Sequence, residues 1–97
     1  MSPNDYNLIE KITGTYQQIE SLKFGRDLKI KITSEDNELY FEQSWNDARY
    51  KVEYHYLTTF FRPNSISTYH FSKDKSGDIN SFLFFQYNYG VSNWVKQ

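Results

Sequence analysis

At 97 residues the chain has room for one domain with one modest core, and with no cysteine it can build neither a disulfide framework nor a thiolate metal site. Eleven basic and 12 acidic residues leave a net charge of −1, so no long-range field gathers phosphate backbones or anionic lipid; neither nucleic acid nor a membrane is an expected partner. A mean hydropathy of −0.78 without any long apolar run excludes a transmembrane helix.

The opening MSPNDYNLIEKI lacks the basic-then-apolar order of a signal peptide. It reads instead as a short helical lead-in over residues 1–12. Pro3 suits a first helical turn, Ser2 or Asn4 suits a cap, and Tyr6, Leu8, Ile9 and Ile12 recur at helical spacing up to Gly14. Beyond Gly14 the period becomes two. Leu28, Ile30 and Ile32 alternate with Asp27, Lys29 and Lys31, the pattern of a strand buried on one face. The polar run 34–38 predicts a turn, after which Leu39 and Phe41 restart the alternation. Tyr50, Val52, Tyr54 and Tyr56 alternate with Lys51, Glu53 and His55 in a further strand. Arg62-Pro63 breaks the chain, because proline cannot donate to a ladder. Residues 66–71 are extended again, and residues 73–78 form a turn in which Gly77 is free to take positive φ. Residues 79–87 form the most apolar strand, with Phe82 and Phe84 on one buried face; residues 91–96 form the last. Strands joined by hairpins at this spacing predict an all-β fold, a small antiparallel meander closed into a barrel over residues 13–97.

The chemistry-bearing residues are sparse. His55 shares a face with Lys51 and Glu53 and should point outward, and His70 should face opposite to Phe71; nothing in their spacing makes a metal site of them. Glu35, Asp36 and Glu38 read as a solvated turn. Ser72-Lys73-Asp74-Lys75 matches a Ser-x-x-Lys pattern, but that chemistry places the serine at the start of a helix, and here the residues leave a strand for a turn. No nucleophile, base and orienting group assemble, so the chain is not expected to be an enzyme, and no cofactor is implied. The aromatic content of 20% exceeds what a small core requires. The aromatics read first as core and rim packing; on an exposed face, Tyr40, Trp45 and Trp94 would instead suit stacking on a sugar ring. Trp45, Tyr50, Tyr54, Tyr56 and Trp94 are the candidates for a ligand or a domain interface.

The order of landmarks resembles the lipocalin-like C-terminal domain that follows the catalytic domain in many bacterial serine β-lactamase-like hydrolases and esterases. It rests on a Gly14-Thr15-Tyr16 entry, Glu38-Leu39-Tyr40-Phe41, and Leu57 followed by Phe60-Phe61. Phe71, Asp74, Gly77, Ile79, Phe82 and Phe84 then follow, with Lys96 near the end of the last strand. The resemblance runs from Ile12 to Gln97, and the chain departs from it in being tyrosine-rich from Tyr50 to Tyr56. It implies a small antiparallel barrel serving as a non-catalytic accessory domain, with a catalytic domain of the same polypeptide as its partner. The compartment would be the periplasm or cytoplasm of a bacterium. The alternative is a free-standing module that binds a small apolar or sugar ligand through Tyr50, Tyr54, Tyr56 and Trp94 at the barrel mouth.

Overall fold

Each strand pairs with the next in chain order, and the last returns to the first, so the computed structural model is a closed antiparallel β-barrel. It describes residues 6–19, 27–63, 65–86 and 90–97. Among these residues the order is α1 (Tyr6–Ile12), β1 (Gly14–Gln18), β2 (Lys29–Glu35), β3 (Glu38–Gln43), β4 (Arg49–Tyr56), β5 (Thr59–Phe61), β6 (Thr68–Lys73), β7 (Ile79–Gln86) and β8 (Gly90–Lys96). The cap expected at Ser2 or Asn4 and the first-turn Pro3 lie outside the described residues, as does Tyr87 beyond β7. The helix ends at Ile12, and Gly14 opens β1. Two strands, β1 and β5, go beyond the elements that the alternation predicts.

Directly opposed residues share a face in an antiparallel ladder, so the register identifies the inward set. Ile32 opposes Phe41, Phe41 opposes Tyr50, Phe60 opposes Tyr69, Tyr69 opposes Phe84, and Phe82 opposes both Phe71 and Trp94. These side chains fill the barrel. Phe82 lies against Tyr16, Phe41, Tyr69, Phe71 and Trp94 at ring-centroid distances of 4.9 to 6.1 Å, mostly edge to face. Phe82 and Phe84 are both buried, as the alternation predicts.

One barrel end is plugged by α1, whose Leu8, Ile9 and Ile12 are buried against the core. Three polar contacts hold the plug. The Tyr16 hydroxyl donates to the Ile12 carbonyl at 2.7 Å, and Lys11 Nζ donates to the Gly77 carbonyl at 3.1 Å. Lys96 Nζ donates to the Lys11 carbonyl at 2.6 Å while lying 5.6 Å from the centre of the Tyr16 ring. Gly14 explains that approach: its φ is +143°, and a Cβ there would meet the Lys96 stem at 3.3 Å.

Candidate functional site

The five candidate aromatics do not converge. Tyr50, Trp45 and Trp94 lie toward the end opposite the helix, whereas Tyr56 sits at the β4–β5 hairpin beside the plugged end, because β4 runs from one end to the other. Trp94 corrects the sequence reading most directly. It is 2% exposed, stacked between Phe82 and Trp45, with its indole N–H donated to Ser92 Oγ at 2.9 Å. It belongs to the core, and no exposed sheet face carries it together with Tyr40 and Trp45. Trp45, 43% exposed in the β3–β4 turn, lies over the Trp94 ring at 5.9 Å and presents its other face outward. Tyr40 points outward beneath the Arg49 guanidinium, 4.0 Å away.

Tyr50 and Tyr54 line the inner wall and are half-buried against the core. The Tyr69 hydroxyl donates to that of Tyr50 at 3.0 Å, which donates to Gln43 Oε1 at 2.8 Å; Gln43 Nε2 then donates to Asn46 Oδ1 at 3.0 Å. The Arg62 guanidinium lies over the Tyr50 ring at 4.3 Å. Burial raises both phenols above their ordinary range, and Arg62 pulls each in the opposite direction. Among the described residues every buried side-chain polar atom has a hydrogen-bond partner. The two phenols thus close a relay with their neighbours, which makes them part of the architecture.

Tyr56 leaves the alternation because the ladder slips between Tyr54 and Tyr56, placing an extra residue, His55, opposite β5. The bulge turns both rings outward, His55 edge-on to Tyr56 at 4.8 Å. Leu57 follows at the hairpin tip, 73% exposed and at a φ of 51°. His70 points outward from β6, opposite to Phe71 as predicted. Ser72 is exposed at the end of β6 and Lys75 lies in the following turn, so the Ser-x-x-Lys match falls on a strand end and a turn. Among the described residues no three of His, Asp and Glu gather as a metal site would require.

The outer wall divides into two halves. Over β2–β4 it is charged. Lys31, Glu42 and Arg49 stand directly opposite one another, and Arg49 binds both Glu35 at 3.1 Å and Glu42 at 3.2 Å. An open cleft of about 480 Å³ lies here, lined by Lys29, Lys31, Arg49, Glu42 and Asp47 among others. Over β5–β8 the outward positions carry no Asp, Glu, Lys or Arg among the described residues. Phe85 opposes Val91 on one side and Thr68 on the other; Leu83 opposes Asn93 and His70. Leu83, Phe85 and Val91 are 37%, 39% and 52% exposed. Sequence reasoning passes over this half because its members are spread over four strands and separated by inward-facing neighbours and turns. The one legible signal is the uninterrupted apolar run from Phe82 to Phe85, which has no polar face.

No protein-family model matches the chain, and no curated protein and no solved structure matches it either.

Proposed function

We propose that this barrel is a non-catalytic accessory domain that docks against a partner protein domain of the same polypeptide through the uncharged wall of β5–β8. The observation that carries this reading is the exposed Leu83, Phe85 and Val91 on a sheet face without a charge, beside a face crowded with them. Contiguous apolar patches rimmed by polar residues mark interaction sites. The size of the patch selects the occupant. Four strands about 4.8 Å apart, about 20 Å long at 3.3 Å per residue, offer on the order of 300–400 Å². Covered from both sides, that is roughly 600–800 Å², within the 600–1,500 Å² of interfaces between domains of one chain. Stable complexes of separate chains bury about 1,200–2,000 Å². A tether makes up the difference, since it replaces free association by a high effective concentration.

The inward aromatics, packed ring against ring around Phe82, support a docking role over an enclosed ligand. The resemblance to the accessory domains of serine β-lactamase-like hydrolases supports a catalytic domain as the partner. A second reading, a sugar-binding module, is favoured by the outward face of Trp45 alone. The test uses the polypeptide that carries the domain. Replacing both Leu83 and Val91 by Lys should split one cooperative melting transition into two. A single unchanged transition rejects the docking reading, and loss of glycan binding on Trp45→Ala with no effect of the lysines establishes the second.

A further inference from the structure

We propose, resting on the docking reading above, that His70 is a proton-sensitive element at the centre of the uncharged wall, and that its protonation releases the partner surface. The imidazole stands on β6 between Thr59 of β5 and Leu83 of β7. Its Nδ1 lies 3.3 Å from the Thr59 hydroxyl and its Nε2 lies 3.0 Å from the Thr68 hydroxyl, while Phe85 packs against the ring at 4.7 Å. Both ring nitrogens are therefore held by groups that serve the neutral and the charged ring alike, because a hydroxyl can rotate to donate or accept. Protonation leaves this frame standing and changes only the charge.

Among the described residues no carboxylate stands on the surrounding outward positions to balance that charge. From β5 the outward neighbours are Thr59 and Phe61; from β7 they are Ser81, Leu83 and Phe85; on β6 itself they are Thr68 and Ser72. Among the described residues the ionisable groups on neighbouring elements are Tyr56, opposite Thr59 on β4, Glu53, opposite Phe61 on the same strand, and His55, edge-on to Phe61 at 6.1 Å; Lys73 closes β6. An apolar partner laid over the wall removes water from the imidazole, and burying an unpaired charge is costly. Docking and protonation therefore compete. A docked state that binds one proton fewer is favoured at high pH and weakens as pH falls, by at most tenfold per unit.

The probe is a phenyl-substituted agarose at fixed salt, which offers an uncharged aromatic surface and needs no identified partner. Wild-type protein should be held at pH 8 and its retention should fall severalfold by pH 5.5. His70→Gln keeps a polar group between the threonines without the charge and should be held equally at both pH values. His55→Gln should follow wild type. Leu83→Lys/Val91→Lys should be weakly held throughout; retention equal to wild type at pH 8 would reject the docking wall itself. If that double variant loses retention while His70→Gln still declines with pH as wild type does, the wall stands and the role of His70 is overturned.

Discussion

Phe82 sits where the rings of Tyr16, Phe41, Tyr69, Phe71 and Trp94 meet, contributed by the four strands β1, β3, β6 and β8. Truncating it opens a cavity that rigid aromatic neighbours cannot collapse into. Phe82→Ala should therefore cost about 3–5 kcal/mol, a large part of the roughly 5–15 kcal/mol available to a small domain. Urea titration reads this directly as a lowered midpoint at unchanged slope. The phenols add a pH dependence. Burial raises Tyr16, Tyr50 and Tyr69 above the ordinary tyrosine value of 10.0. Above about pH 10 the unfolded chain releases phenolic protons that the folded chain still holds. Stability is fully present below that pH and declines above it, by up to about 1.4 kcal/mol per pH unit for each such tyrosine. Denaturant midpoints measured from pH 9 to 11.5 should fall steeply, and Tyr69→Phe should flatten that fall by about one proton.

At the scale of the element, the hairpins differ in how well their residues suit their turns. Asp36 and Asn37, both at positive φ, join β2 to β3 in the two-residue geometry whose twist matches that of the strands. Short polar side chains tolerate that conformation. Leu57 at the β4–β5 tip does not, because its Cβ crowds the following carbonyl oxygen, at a cost of about 1–2 kcal/mol. It is also largely exposed and gains little from burial there. Leu57→Gly relieves the strain and gives back part of the gain as unfolded-state entropy, so thermal unfolding should show a net stabilisation of about 0.5–1 kcal/mol. The helix plug follows a different logic. Seven residues are too few for a helix to hold on its own, so α1 depends on the burial of Leu8, Ile9 and Ile12 and on the bonds from Tyr16 and Lys96. Tyr16→Phe strands the buried Ile12 carbonyl and should cost about 1–3 kcal/mol, with amide exchange in α1 rising before that of the strands.

Across the whole molecule the charges are segregated, with ion pairs over β2–β4 and none on the outward positions of β5–β8 among the described residues. A side chain exposed for docking contributes little to the isolated fold. Leu83→Lys/Val91→Lys should thus change the stability of the domain by no more than about 1 kcal/mol for each replacement, the span of strand preferences. Circular dichroism with urea titration checks this, and a larger loss would mean that the wall supports the barrel itself. Much of the barrel is legible in the sequence because alternation is local: a strand with one face in the core must place an apolar side chain at every second residue, as Ile30, Ile32, Leu39 and Phe41 do. β1 and β5 escape that reading. β1 carries the single buried side chain of Tyr16 among five residues, and β5 is three residues long, so neither shows a period. Nor can local pattern choose between faces when both are apolar. In Val91-Ser92-Asn93-Trp94-Val95 either set could point inward, and only the pairing of Phe82 with Trp94 and the closure of β8 on β1 bury the tryptophan. The bulge at His55, which turns Tyr56 away from Tyr50 and Tyr54, is likewise a property of the ladder between two strands. The uncharged wall is the largest such case. Its residues are separated by turns and by inward-facing neighbours, and the register of four strands alone brings Phe61, His70, Leu83, Phe85 and Val91 onto one surface. Alternation decides that a residue must choose a side, while long-range hydrogen bonding decides which side it is and whom it meets there.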